Sequence, residues 1–314
     1  MSGTDKKTDV GGQAVIEGVM MRSPKGISVA VRRKDGTILV KNDTYISLAK
    51  RFKFFKLPFI RGGIILLESL FLGVKTLSWS SKVAINDEQD DGKNNKNIEV
   101  TSNIITIFTV IFGLGAGIGL FFYLPLFLTD LTGLTSGFYF NLVDSFIRIV
   151  IFISYILLIS RWEEVRRVFQ YHGAEHKSIF AYENGEELSI ENVNNYGTHH
   201  PRCGTSFLVI VIMVSFLVFL FLGRPETIGE KLIRFLFIPV IGGLSYEFIK
   251  LADKKKHNKM LRRIISPGLW LQKITTQEPD EQQLKVGIVA LKSALGEQVE
   301  NDEEVNIFES SLKR

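Results

Sequence analysis

Four of the five histidines and the single cysteine of this 314-residue chain fall between His172 and Cys203. The segment opens with Tyr171-His172-Gly173-Ala174-Glu175-His176-Lys177 and closes with Thr198-His199-His200-Pro201-Arg202-Cys203-Gly204. On a helix, His172 and His176 project from one face about one turn apart, so both imidazoles can reach a single ion. Glu175 projects near the same face. His-x-x-Glu-His is the residue order of the inverzincin motif, in which two histidines hold zinc and the glutamate works on the bound water. Pro201 argues for a turn that carries His199, His200 and Cys203, three further residues of metal-ligating type. Glu247 lies in a later apolar segment, where a carboxylate is expensive and therefore a functional candidate by default.

This pattern predicts a divalent transition metal, most simply zinc, with His172 and His176 as ligands. Glu247, Cys203, His199 or His200 would complete the shell, Glu175 would act as general base, and Glu17 and Arg202 are candidate supports. A metal lowers the pKa of bound water from about 15.7 to roughly 7, and a carboxylate can then take its proton. The pattern also fits a structural metal staple closed by four protein ligands, in a partner of membrane-protein biogenesis or secretion. A third reading makes Cys203 a nucleophile activated by His199 or His200.

The elements that must position these residues are of two kinds. Hydrophobic residues make up 46% of the chain, with 24 Phe, while 23% is charged, and the mean hydropathy is +0.16. Charged and apolar residues are therefore segregated, as in an integral membrane protein with sizeable soluble parts. One cysteine makes no internal disulfide and implies no oxidising compartment. The net charge of +5 comes from Lys and Arg beside apolar segments, which points to membrane flanks and not to nucleic acid.

The expected fold class is an α+β integral membrane protein with about four transmembrane helices, an interfacial helix and a small N-terminal antiparallel sheet on the cytoplasmic side. Residues 1–50 form the β-rich segment, with Lys34-Asp35-Gly36-Thr37 as a hairpin turn. Residues 51–85 open on the basic-aromatic run Arg51-Phe52-Lys53-Phe54-Phe55-Lys56 and read as a helix lying at the interface. Residues 86–102 are acidic and amide-rich, a flexible linker. Residues 103–252 hold four apolar runs near the length needed to cross a bilayer, with the His/Cys segment at 161–204. The alternating glycines Gly113 to Gly119 sit mid-run, where helix packing explains them better than phosphate binding. Residues 253–314 are a helical tail in which Leu284, Ile288, Leu291 and Leu295 recur at helical spacing.

Residues 129–142 carry no Lys or Arg, whereas 161–204 carry Arg161, Arg166, Arg167, Lys177 and Arg202. The positive-inside rule then puts both termini and the histidine segment in the cytoplasm, against which Arg224 and Lys231 stand in an outer turn. The multi-pass protein would sit in a bacterial cell membrane, with the lipid bilayer as its partner and a membrane-protein partner as a further expectation.

Taken together, Gly11-Gly12-Gln13-Ala14-Val15-Ile16-Glu17-Gly18-Val19-Met20-Met21-Arg22, His172-Gly173-Ala174-Glu175-His176-Lys177 and His200-Pro201-Arg202-Cys203-Gly204-Thr205 resemble the bacterial YqhQ-like membrane family. That family has been described as predicted metal-dependent enzymes. The resemblance implies membrane placement and a metal, and supplies no substrate.

Overall fold

The computed structural model describes residues 9–44, 57, 60–86, 108–201, 203–254, 258–299 and 304–308. The basic-aromatic run at 51–56, most of the expected linker and Arg202 lie outside them.

A five-stranded sheet forms from β1 (Gly11–Val15), β2 (Gly18–Arg22), β3 (Ile27–Arg32), β4 (Ile38–Asp43) and β5 (Val305–Phe308). The first four strands are an antiparallel meander in sequence order, and β5 adds in parallel beside β4. The expected turn at Lys34–Thr37 is present: Gly36 adopts φ 89°, and Asp35 Oδ1 accepts from the Thr37 amide at 2.8 Å. β5 extends the sheet from a tail in which only helix was expected.

Both faces of the sheet are covered, which is why β2 and β3 are almost wholly buried. The side-chain period of two separates the faces. Val19, Met21, Ala30, Ile38 and Val40 turn toward one helical layer, while Val15, Met20, Val29 and Val31 meet Leu72 and Val83 on the other side.

The helices are α1 (Ile60–Asn86), α2 (Phe108–Asp130), α3 (Gly137–Ile159), α4 (Glu163–Asn184), α5 (Ile190–Asn194) and α6 (Gly204–Leu222). They are followed by α7 (Ile228–Leu236), α8 (Ile238–Lys254), α9 (Lys259–Thr275) and α10 (Glu281–Ala294). Among the described residues, five helical stretches are long and apolar enough to cross a membrane: Arg61–Ala84, Phe108–Asp130, Gly137–Ile159, Gly204–Leu222 and Ile228–Ala252. The last joins α7 and α8. The first falls where an interfacial helix was expected.

α1 divides into two halves. From Leu72 to Val83 it lies on the sheet, and the side-chain amide of Gln13 presses so closely on Gly73 that a Cβ there would lie 2.9 Å from it. From Arg61 to Leu66 it crosses α8, where a Cβ on Gly62 would come within 2.9 Å of the Gly243 backbone. Leu67, Leu70 and Phe71 between them are exposed.

The helical pattern of Arg161 to Tyr171 directly after the second apolar run predicts that α4 continues α3, and it does not. A turn at Ser160–Trp162 separates them, and α4 packs instead between β1 and α10. α10 buries Leu284, Ile288, Leu291 and Leu295, the residues whose spacing marked it as amphipathic. Small residues let the two helices touch: Gly287 sits where a Cβ would be 2.9 Å from Ser178 Oγ and 3.1 Å from the Ala174 carbonyl. The glycines at 113, 115, 117 and 119 behave differently. A Cβ on any of them would meet nothing within 4 Å, so they do not serve close packing within the described chain.

Gly287→Val should separate α10 from α4 and cost about 1–3 kcal/mol through overpacking. The measurement is thermal unfolding in detergent, and an unchanged midpoint would show that the contact is slack.

Candidate functional site

Three chain segments converge where the sheet layer meets the apolar helices. α4 supplies His172, Glu175 and His176. Cys203 supplies the N-cap of α6, its sulfur accepting from the Thr205 amide at 3.4 Å. The strap from Thr275 to Asp280, between α9 and α10, passes over α4. The glycine that weakens the His-x-x-Glu-His helix by roughly 1 kcal/mol has a packing reason here. A Cβ on Gly173 would lie 2.0 Å from the Gln277 carbonyl oxygen, so only glycine lets the strap cross at this point.

The ring centroids of His172 and His176 are 4.5 Å apart, and Cys203 Sγ lies 3.2 Å from His172 Nε2. One ligand atom from each of His172, His176 and Cys203 falls within 4.8 Å of the others. His172 Nδ1 is 2.9 Å from the Thr275 carbonyl, and His176 Nδ1 bonds the Thr198 carbonyl. A carbonyl only accepts, so both Nδ1 atoms must carry the proton, and a neutral ring then keeps its lone pair on Nε2. Burial pushes the His176 imidazole below its ordinary range, which keeps that ring neutral. His172 is half-buried while its two neighbours are buried, so any access runs along its side.

Glu175 is buried, and burial pushes its carboxyl above the usual range. The nearby His172 and His200 and the Gly12 amide act against that shift. Gly12 is required for this approach, since a Cβ there would lie 2.9 Å from Glu175 Cγ. A carboxyl moved toward neutrality is tuned in the direction a general base needs.

The other expected site residues are dispersed. His200 is buried with its ring 5.7 Å from that of His176, but its Nε2 faces Glu183 at 3.5 Å. His199 is exposed. Glu247 is held by both nitrogens of the Arg61 fork, with contacts of 2.6 and 2.7 Å from Nη2, and does not join the cluster. Glu17 adopts φ 51° in the β1–β2 turn and binds Arg167, with Nε at 2.5 Å, and the Tyr171 hydroxyl at 3.2 Å. It therefore clamps the first turns of α4 to the hairpin and does not touch the imidazoles. Arg202 lies outside the described residues.

Three positioning groups carry no signal in metal-ligating residue type or spacing. These are the Thr275 and Thr198 carbonyls and Gln272, whose buried amide binds both the amide and the carbonyl of His200 at 2.8 Å. Main-chain carbonyls leave no residue-type signature. The signal for Gln272 is an amide on the buried side of an amphipathic helix.

A mixed sheet layer joined to apolar helices, with two histidines and a cysteine at the junction, defines a membrane-associated α+β protein with a His/His/Cys centre. The family described as a protein of unknown function, DUF1385, matches residues 57–297, and the chain belongs to that family. It is 32% identical over 300 residues to the uncharacterized protein YqhQ of Bacillus subtilis (strain 168), which covers 91% of this chain and 92% of the relative. No solved structure matches.

Gly173→Ala should displace the strap and with it the carbonyl that orients His172. Hydrogen exchange across residues 274–279 should quicken and the unfolding midpoint should fall; unchanged exchange would show that the strap finds another path.

Proposed function

We propose that the chain is a membrane metalloenzyme, most simply a zinc-dependent hydrolase, that acts on a membrane-associated peptide or lipid. The observation that carries this reading is the three-donor group of His172, His176 and Cys203 with both Nδ1 atoms turned onto carbonyls. Histidine ligands of metals characteristically give their second nitrogen to such an acceptor, which fixes tautomer and ring orientation. Two imidazoles and a thiol are donors suited to zinc. Among the described residues no fourth His, Cys, Asp or Glu completes the group, which favours a centre with an open position over a closed structural staple.

When bound, the ion would supply Lewis acidity toward water or a carbonyl. The residues of this chain do the rest. Glu175 would take a proton at its carboxylate, which Gly12 admits beside β1, and the strap carbonyl of Thr275 holds His172 in place.

The proposal includes four membrane crossings with the sheet and both termini in the cytoplasm. α1 has only the stretch Ile60–Phe71 beyond the sheet, about 18 Å of helix, against a hydrocarbon core of about 30 Å. Its exposed Leu67, Leu70 and Phe71 then suit an interfacial position. The Lys and Arg of 161–204 support the cytoplasmic placement of the centre.

Elemental analysis of the purified full-length protein tests the centre. Near-stoichiometric zinc is expected in the wild type and in Glu247→Ala. It should be retained in Glu175→Gln and lost in His172→Ala and Cys203→Ala. No metal in the wild type after reconstitution with zinc, manganese or iron would sink the proposal.

A further inference from the structure

A second polar cluster lies within the apolar helices, away from the His/His/Cys centre. Asp144 and Arg148, the eighth and twelfth residues of the 23-residue α3, form an ion pair at 2.9 Å. Arg234 from α7 is 1% exposed and donates to Asn141 Oδ1 at 2.8 Å and to the Gly223 carbonyl. Both guanidiniums lie over the Phe219 ring, at 5.8 and 4.7 Å from its centroid. Phe219 stands sixteen residues beyond Cys203 along α6, about 24 Å away at 1.5 Å per residue, so this cluster is separate from the His/His/Cys centre.

Its charges do not balance. Two guanidiniums face one carboxylate, and surplus charge in an apolar layer is expensive unless a partner neutralises it. Its hydrogen bonding is also incomplete. Asp144 Oδ1, Arg148 Nε and Arg234 Nη1 are buried, and none has a hydrogen-bond partner among the described residues. Two open donor groups and one open acceptor call for a ligand that accepts at two places and donates at one. Guanidinium forks match oxyanions better than halides. Toward the helix ends lie Arg224, whose guanidinium stacks on Phe140 at 5.5 Å, and Lys231, 3.1 Å from Asp130. These two cations ran against the charge bias of the sequence, and both pair with Asp130, at 3.8 and 3.1 Å.

We propose that Asp144, Arg148 and Arg234 form a binding site for a hydroxyl-bearing phosphate anion. Its phosphate oxygens accept from the two arginines and its hydroxyl donates to Asp144. The source is either a protonated free phosphate or a phosphoglycerol lipid headgroup.

The full-length protein in detergent is titrated with inorganic phosphate, with chloride as control, while its unfolding midpoint is followed. In parallel, nanodiscs of phosphatidylcholine with and without phosphatidylglycerol are used, and lipid retained after re-extraction is weighed by mass spectrometry. A midpoint raised by phosphate and not by chloride supports the site with free phosphate as source. Selective retention of phosphatidylglycerol supports it with lipid as source. Arg234→Gln should weaken either response by about tenfold or more, as loss of a hydrogen bond to a charged group does. Glu247→Ala, which lies outside the cluster and pairs with Arg61, is the control and should respond as the wild type does. Should Arg234→Gln fail to fold, Arg234→Lys keeps the charge without the fork and should also weaken binding. Neither response in the wild type, or responses that Arg234→Gln and Arg234→Lys leave at their wild-type size, would overturn the site and leave a structural network.

Discussion

The bonds from His172 Nδ1 to Thr275 and from His176 Nδ1 to Thr198 set the condition on which the centre depends. Each carbonyl fixes a tautomer, and each belongs to a different segment of chain. α4 alone could present two imidazoles on one face, but it could not choose which nitrogen they offer. That choice requires the end of α9 and the loop before Pro201 to be in place. Gly173 and Gly12 answer the same requirement from the side of packing, since one admits the strap and the other admits Glu175 beneath the first strand. The close crossing of α4 and α10 at Gly287 then holds the helix that carries the donors against the sheet.

The legible part of this arrangement was the local part. His172, Glu175 and His176 are separated by one helical turn, and helical periodicity carries that far without tertiary knowledge. The antiparallel meander and its Asp35–Gly36 turn were likewise readable, because hairpins pair neighbours in sequence. α10 could be read from its leucine and isoleucine spacing. What failed was long-range. Glu247 looked unsatisfied in an apolar helix, and only the fold brings Arg61 to it, 186 residues away in sequence. β5 comes from Val305–Phe308, four residues that signal nothing until an unpaired β4 edge stands beside them. Cys203 and His200 were equal candidates by proximity in sequence, and the turn around Pro201 turned one toward His172 and the other toward Glu183.

The apolar helices carry their own version of this limit. Asp144 and Arg148 are a recognisable pair at helical spacing, and taken alone they neutralise each other. α7 adds Arg234 over the same Phe219 ring, and only then does a surplus charge appear. A count of ionisable residues along each apolar run does not show this, because it treats the runs one at a time. The membrane domain is thus polarised along its length, with a His/His/Cys centre at one end of α6 and an arginine-rich cluster toward the other.

The parallel pairing of β5 with β4, and the placing of α10 between sheet and α4, have a consequence for synthesis. The sheet begins at Gly11, yet one edge strand, β5, and one covering helix, α10, follow every apolar helix in sequence. Domains fold as their parts emerge, so the meander must wait, half covered, while every apolar helix is made. The carbonyl that orients His172 arrives in that same final portion. The centre therefore comes together late, after the apolar helices have been made, and a chain that stalls before α9 would display its two histidines without the geometry to use them.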